Sequence, residues 1–587
     1  MKPEEFWEEA LRRKGLKRRE VPDTETYWNG KSLDLLIPEN SLILGEVLQG
    51  YFQAFVAPQD LKTHVGIVGP TGGGKSKLLE HIFRQLASKE DRPAIVLMDP
   101  KGDLYRDALG YCAEKELDNI ILINPNLTSK SIAYNPMDSQ GLPIDCRTNA
   151  KVLATLKAWN QWGTQETPRL RRWLTNTYRP LMEQGLTLCE ALYMVDLGGN
   201  PIRQAIVARM EEGQIKREWQ TYERFSLRER QEQIESTLSR LRAFLDNRQI
   251  ASILTQGRRA LQLRALLNQG VIILVNLEPF HRLSVEDANL LGTLLIDDLI
   301  AATFARPPDQ RRPVVLIIDE AHRFVTPDIG DILDMGRGMN LHCILALQHL
   351  AQVREEDYKT YSALLTNARV KIIFGGLTNA DLEILNPEFY TGELDLKEIK
   401  QELYRTFFEP VEETREIVTY SEMETEGDIQ GTVGGTSFIP GQGLFDEGQT
   451  TFHESSSEIT SRGSGLGFSR SIVPWHRLVK RKELSSREFY SLEEQLYKKM
   501  AELKGMPKQH AALKVPGEPV RIFKVTTVEE VDISEHHLTE YQDQILELPY
   551  YSTPEEIEQE EQERLKALEA EAQAQIEPSR RRRKKPK

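Results

Sequence analysis

Seven short apolar runs punctuate the first 400 residues, at 64–68, 94–98, 120–123, 271–275, 314–318, 344–347 and 371–374. Each is too brief for an independent helix, and most lack the polar alternation of a half-exposed strand. Near-continuous apolar runs separated by helix-patterned sequence predict strands buried on both faces, as in a mostly parallel sheet. An isolated run of this length could equally be a segment of buried helix. Seven of them, several ending in polar residues suited to ligand contact, favour the sheet. The fold class that follows is α/β, with its core in 61–144 and 256–400.

The interval 145–255 differs in kind. It is rich in Arg, Glu, Gln and Leu, and Ile234, Leu238, Leu241 and Leu245 recur at helical spacing. This predicts an all-α insertion between core strands. Its mixed charge leaves two readings of its arginines: a solvated helix surface, or a surface that meets DNA or a cargo protein. Before the core, 1–31 reads as a helical arm anchored by Phe6, Trp7 and Leu11. Residues 32–60, broken by Pro38, Gly45, Gly50 and Pro58, read as a small β-rich lead-in.

Beyond the core, 401–426 is a connecting segment, and 427–469 is dominated by Gly, Ser, Thr and Glu. Such a composition buries too little apolar area to offset its ordering entropy, which predicts a flexible linker and a partly disordered C-terminal extension. Residues 470–550 regain Trp475, Phe489, Tyr490, Phe523 and Tyr541, as a small appended module or a strap against the core. The last stretch, 551–587, combines a charged helix with a basic tail from Arg580 to Lys587. That tail either binds phosphates or an acidic partner loosely, or is an uninformative chain end.

Composition changes this picture at three points. A chain of 587 residues with 40% hydrophobic residues is too long for a single core and supports several domains. No apolar run is long enough to span a bilayer, and the Met-Lys-Pro-Glu-Glu start lacks the layout of a signal peptide. A soluble, cytoplasmic chain that reaches the inner membrane only through a partner is therefore expected. Cys112, Cys146, Cys189 and Cys343 lie far apart without CxxC spacing, which argues against zinc and against a disulfide scaffold. A net charge of -14 gives no independent support for nucleic-acid binding.

The chemistry is concentrated in a few motifs. Gly69, Pro70, Thr71, Gly72, Gly73, Gly74, Lys75 and Ser76 fit the phosphate-loop pattern without a gap. A short apolar run precedes them, and Leu78, Leu79, Ile82 and Leu86 follow at helical spacing. Strand, glycine loop and helix turn consecutive backbone N–H groups onto phosphates at the positive end of a helix. Lys75 is then the side chain for the β- and γ-phosphates of ATP, and the Ser76 hydroxyl a ligand of Mg²⁺. Asp319, ending the run 314–318, is the second contact to Mg²⁺, and the neighbouring Glu320 is the candidate general base. An Asp-Glu pair after an apolar strand can also be a simple helix N-terminus; the loop at 69–76 shifts the balance to catalysis. No Asn-Lys-x-Asp guanine-reading run appears later in the chain. Gln348, ending the run 344–347, either senses the γ-phosphate and holds the water or caps a following helix. Arg337 either supplies charge to a γ-phosphate, in its own or a neighbouring subunit, or is a surface arginine. Asp99 and Lys101 stand at the tip of another run and line the same ligand-binding edge if the strands are parallel.

In order, Thr71–Ser76, Asp-Pro-Lys-Gly-Asp-Leu at 99–104, a helical insertion and Val-Ile-Ile-Leu-Val-Asn-Leu at 271–277 are followed by Leu-Ile-Ile-Asp-Glu-Ala-His-Arg-Phe at 316–324. Leu-Ala-Leu-Gln-His-Leu-Ala-Gln at 345–352 and Thr-Asn-Ala-Arg-Val-Lys-Ile-Ile-Phe at 366–374 complete the series. Across roughly 40–400 this arrangement resembles the FtsK/HerA-type P-loop ATPases that translocate DNA. Within them it is most similar to the coupling proteins of type IV secretion and bacterial conjugation. The resemblance implies a RecA-like core working as a homo-hexamer around DNA. It also implies Lys75 and Ser76 on ATP and Mg²⁺, Asp319 on Mg²⁺, Glu320 as base, Gln348 as γ-phosphate sensor and Arg337 as arginine finger. The insertion matches the all-α domain through which coupling proteins meet the DNA-processing complex. Coupling proteins usually carry N-terminal transmembrane helices, and this chain departs from them there; the family has soluble members with a separate membrane partner, and a membrane-anchored or relaxase/nuclease partner is expected. His322 and Arg323 are given no catalytic role. The function expected is an ATP-driven DNA pump in conjugative transfer or a related mobile-element process. The alternatives are a repair or genome-processing translocase working with a nuclease, and a protein-secretion ATPase that does not handle DNA.

Overall fold

The computed structural model describes residues 37–38, 40–47, 52–159, 168–198, 200–279, 282–324, 327–423, 433–439, 449–455 and 465–583. The arm read at 1–31 and the tail residues 584–587 lie outside them. The chain divides into two units, one of 1–394 with 496–587 and one of 395–495.

The first unit is built on an eleven-stranded sheet. All seven apolar runs are strands in it: β3 (Val65–Val68), β4 (Ala94–Asp99), β5 (Ile120–Ile123), β7 (Ile272–Asn276), β8 (Val314–Ile318), β9 (Leu341–Leu347) and β10 (Val370–Phe374). They lie in the order β10-β3-β9-β8-β4-β7-β5, and every neighbouring pair is parallel. Almost every residue in them is buried, because helices cover both faces. That burial explains why these strands read as continuous apolar runs rather than alternating ones.

Four antiparallel strands extend the sheet beyond β10. β15 (His510–Lys514) pairs with β10, β16 (Arg521–Val525) with β15, β1 (Leu42–Val47) with β16, and β2 (Phe52–Val56) with β1. Part of the stretch read as an appended module or strap, 470–550, is thus woven into the core sheet. At the opposite edge the Tyr551 hydroxyl accepts from the Leu122 N–H at 2.7 Å and donates to the Leu122 carbonyl at 3.1 Å. It satisfies edge groups of β5 that no strand pairs. β17 (Tyr551–Ser552) pairs with β6 (Ser131–Ile132).

Helix α1 (Lys75–Ala87) follows β3 and buries Leu78, Leu79, Ile82, Phe83 and Leu86; helix α2 (Asp103–Glu114) follows β4. Between β6 and β7 the regular structure is helical, from α3 (Ile144–Ala158) to Leu263–Leu267. Trp173, Trp219 and Tyr222 pack there with ring centroids 5.0, 5.3 and 5.4 Å apart. The helix Leu227–Leu245 starts with a capping box made by Ser226 and Glu229. Helix α4 (Val285–Phe304) returns to the core, and α3 is fastened to it by a buried charge cluster. Arg147 donates to Asp297 at 3.0 and 2.7 Å, and Lys151 lies 2.8 Å from Asp297 and 2.9 Å from Asp298. The helix Pro554–Arg583 packs on Pro201–Arg209, and its Arg564 pairs with Glu190 at 2.6 Å. Among the described residues no helix is long and apolar enough to cross a membrane, and no His, Cys, Asp and Glu cluster suits a metal ion.

The second unit is a long hairpin. β11 (Ile399–Met423) and β14 (Gly465–Phe489) pair antiparallel from Ile399 opposite Phe489 to Met423 opposite Gly465. β12 (Val433–Ile439) and β13 (Gln449–Ser455) form a second antiparallel pair. The sequence predicts a connector, a flexible linker at 427–469 and a module here, whereas the structure joins parts of all three as paired strands. The physical reason is local. β12 and β13 pair along seven consecutive residues each, a backbone ladder that a composition weighed for apolar burial alone does not count. The remaining residues of 427–469 lie outside the described ones.

Candidate nucleotide site

The loop 69–76 connects β3 to the first turn of α1 at the carboxyl edge of the parallel strands. Gly74 caps α1 at φ 117°, a backbone that side chains with a Cβ rarely adopt. Gly69 is required by close approach, since a Cβ there would lie 2.6 Å from the Cβ of Phe374. The Lys75 ammonium, 4% exposed, donates to the carbonyls of Gly69 at 2.6 Å and Pro70 at 3.1 Å. Burial lowers its pKa, while the nearby Glu320 and Asp319 carboxylates oppose that shift.

Beside it, the Ser76 hydroxyl donates to Asp319 Oδ2 at 3.1 Å. Asp319 ends β8 with its N–H on the carbonyl of Met98, so β4 holds it in place. Burial raises its pKa, Lys101 pulls it back, and Glu320 adds to the rise. A hydroxyl and one carboxylate sharing a hydrogen bond suit Mg²⁺, which favours few protein oxygens together with substrate phosphates.

Glu320 is fixed more tightly than its neighbour. Its backbone sits at φ 48°, an uncommon conformation for a residue with a side chain, and its N–H donates to Asp319 Oδ1 at 2.9 Å. Its Oε1 accepts from both Lys101 Nζ and Gln348 Nε2, the latter at 2.6 Å. Oε2 is buried without a hydrogen-bond partner. Burial alone would raise the pKa of this carboxyl, but Lys101 and Gln348 hold it below the usual value. The result is an anionic side chain with Oε1 tied down and Oε2 facing His322 Nδ1 at 3.6 Å.

Asp99 plays a different part. Its oxygens accept from the N–H groups of Lys101 at 2.8 Å and Tyr105 at 3.0 Å, shaping the turn that delivers Lys101. Burial pushes its pKa up to about 6, against those two hydrogen bonds. Asp99 is therefore a scaffold for the β4 tip.

The structure brings together Lys75, Ser76, Asp319, Glu320, Gln348 and Lys101. It does not bring Arg337 to them. Arg337 lies exposed in the turn Gly336–Met339, just before β9, whereas Gln348 follows β9. The seven residues of β9 separate the two by about 23 Å at 3.3 Å per residue. Arg337 thus stands at the amino edge of the sheet, away from the phosphate loop of its own chain. The sequence reading missed one contact at the loop. Gln509, immediately before β15, donates its N–H to the Gly73 carbonyl at 3.1 Å. No local pattern marks it, because the contact depends on β15 joining the sheet.

Family models match both halves of this site. Residues 44–295 match the family described as Helicase HerA, central domain. The chain contains a HerA-type ATPase domain. It carries the phosphate loop, Asp99, Lys101 and the whole helical insertion. Residues 313–385 match the family described as the TraM recognition site of TraD and TraG, which carries Asp319, Glu320, Arg337 and Gln348. Among solved structures, the chain is similar to the bacterial conjugative coupling protein TrwBΔN70 in its unbound form, at 13% identity over 85% of this chain and 92% of that one, with a TM-score of 0.47. It is also similar to the plasmid coupling protein TrwB in complex with ADP and Mg²⁺, at 13% identity over 86% and 93%, with a TM-score of 0.48. VirB4 of Thermoanaerobacter pseudethanolicus is similar at 15% identity over 60% and 89%, with a TM-score of 0.41. No curated protein matches the sequence.

Proposed function

We propose that this chain is an ATP-driven DNA translocase of the coupling-protein kind, acting in conjugative transfer or a related mobile-element process. The observation that carries the reading is the anionic Glu320, held by Lys101 and Gln348 beside the Lys75–Ser76–Asp319 group, within a HerA-type ATPase domain. In this reading Gly69 to Ser76 hold the phosphates, and Lys75 leaves the loop carbonyls to meet the transferred phosphoryl group. Ser76 and Asp319 hold Mg²⁺, which neutralises phosphate charge when bound. Glu320 accepts a proton from water through Oε2, and Gln348 reports the presence of the γ-phosphate to β9.

Arg337 is too far from its own phosphate loop to serve it, which favours service to a neighbouring copy in a ring, with a homo-hexamer as the proposed assembly. The match over 313–385 favours a partner of the TraM kind. Recruitment from the cytoplasm to a membrane-anchored channel or a relaxase complex belongs to the same proposal.

The test is the ATPase rate against DNA concentration at low and moderate salt. DNA of unrelated sequences is expected to stimulate hydrolysis, less so as salt rises, because binding is chiefly to phosphates. Lys75→Ala is expected to lose nucleotide binding, and Glu320→Gln to bind but hydrolyse slowly. No stimulation and no salt-sensitive DNA binding, in a protein with intact ATPase activity, would move the reading to a protein-secretion ATPase.

A further inference from the structure

Arg306 is a buried arginine without an acidic partner. It stands just past the end of α4, is 1% exposed, and forms no ion pair among the described residues. Burial first, and then the nearby Arg311, lower its pKa to about 10. A charge taken out of water at this cost has to be met by hydrogen bonds. Those of Arg306 go to uncharged oxygens. Nη1 donates to the Arg312 carbonyl at 2.7 Å and to the Asn268 side chain at 3.3 Å, and Nη2 donates to the Met339 carbonyl at 3.2 Å.

Met339 ends the turn Gly336–Met339, the turn that carries Arg337. Arg311 holds the same turn at a second point. Its Nη1 donates to the Gly338 carbonyl at 3.0 Å, and its Nε ties it to the Arg306 carbonyl at 3.1 Å. Asn340 is a third anchor, with φ at 57°. Its N–H donates to the Arg337 carbonyl at 3.3 Å and its Nδ2 to the Arg311 carbonyl at 2.8 Å. The link from α4 to β8 that supplies Arg306 and Arg311 is stiffened by Pro307, Pro308 and Pro313, whose rings fix φ. The exposed Arg337 side chain therefore stands on a backbone gripped from three sides. Arg306 and Arg311 precede β8 as Arg337 precedes β9, so all three lie at the amino edge, away from the phosphate loop of their own chain. We infer that Arg306 and Arg311 are positioning residues for Arg337, holding its turn in the arrangement that presents the guanidinium to the nucleotide of the adjoining subunit. This inference rests on the trans role proposed above and adds the groups that aim the side chain. Aim matters, because a displacement of about 1 Å in a group acting on the reacting centre can cost about a hundredfold in rate.

Subunit mixing tests this on the full-length protein with ATP and DNA. Arg306→Met should bind ATP with unchanged affinity and hydrolyse it about tenfold more slowly. Arg306→Lys, which keeps the charge but offers a point donor instead of a fork, should recover part of the loss. In the proposed mechanism Glu320→Gln has a silent site and an intact Arg337. Mixed in equal amounts with Arg306→Met, it should supply the correctly aimed guanidinium, and the rate should reach about five times that of the two proteins assayed apart. A defect confined to the Arg306→Met subunit's own site or stability would give no such gain. Arg337→Ala mixed with Glu320→Gln is the control for the trans role. Recovery in the control but not with Arg306→Met would overturn the inference while sparing the trans role. Recovery in neither mixture would overturn the trans role and the inference with it. Full activity of Arg306→Met alone would also overturn the inference. If that variant does not fold, Arg311→Met, which removes a half-buried side chain, decides by the same mixtures and the same outcomes.

Discussion

Lys101 and Glu320 form an ion pair across the carboxyl edge of the sheet, although 219 positions separate them in the chain. Adjacent strands β4 and β8 make the contact possible, because their tips deliver the two side chains side by side. Lys101 and Gln348 both bind Oε1, so in the proposed mechanism they fix Oε2 as the oxygen that meets water. On that proposal Lys101 is a positioning residue. Lys101→Met is expected to lower kcat about tenfold or more with little change in nucleotide affinity, and Lys101→Arg to restore part of it. Single-turnover hydrolysis alongside nucleotide titration checks this. A raised KM at unchanged kcat would assign Lys101 to binding instead.

Arg337 gives a prediction that depends on which edge of the sheet it occupies. Because β9 separates it from its own phosphate loop, an Arg337→Ala subunit should bind ATP normally. Mixed with wild-type subunits in the proposed ring, it should silence the neighbour it faces. Specific activity should then fall below the wild-type fraction as mutant subunits are added at constant total protein. Activity proportional to the wild-type fraction across the mixing series would remove the trans role.

The pairing of α3 with α4 rests on charges taken out of water. Arg147 and Lys151 face Asp297 and Asp298, and all four are 5% exposed or less. Removing one partner strands a buried carboxylate, so Arg147→Met is expected to cost about 3–5 kcal/mol in denaturant unfolding. Replacing all four by apolar residues of similar volume should cost much less than that single change, since no charge is left unpaired. Equal losses in the two variants would show that packing, rather than charge pairing, sets the stability here.

Much of this molecule was legible in its sequence, and the limits have physical causes. The seven parallel strands were readable because burial on both faces makes each run apolar throughout. The strand–loop–helix around 69–76 and the place of Asp319 and Glu320 at the tip of β8 were readable because each leaves a local pattern of residues in a row. The location of Arg337 was also available: a residue before a parallel strand lies at the amino edge, and one after it lies at the carboxyl edge. The inclusion of β15 and β16 was not, since His510 to Lys514 carries a weak pattern and pairs with the distant β10, Lys371 opposite Lys514. The long hairpin was hidden for another reason. Its two arms are 41 residues apart, and an exposed ribbon does not need the apolar alternation that a packed strand shows.

Two buried histidines at the amino edge make stability depend on pH. His64, 1% exposed, accepts the Cys343 N–H on Nδ1 at 3.0 Å, and burial lowers its pKa to about 4. His342, 3% exposed, lies 3.1 Å from the Asn340 side chain. Its pKa is also lowered to about 4, by burial first and then by His64 and Lys62. In the unfolded chain both titrate near 6.5. Between those values the unfolded state binds protons that the folded state refuses, so stability falls as pH falls from 7 towards 4. Each histidine should contribute a loss on the order of 2 kcal/mol between pH 7 and pH 5. Urea unfolding at the two pH values measures the slope, and His64→Gln combined with His342→Gln should flatten it. The double variant would lose some stability at pH 7, because Gln fills the space less well. The difference between its two pH values is therefore the quantity that decides. A slope unchanged in the double variant would place the acid sensitivity elsewhere in the core.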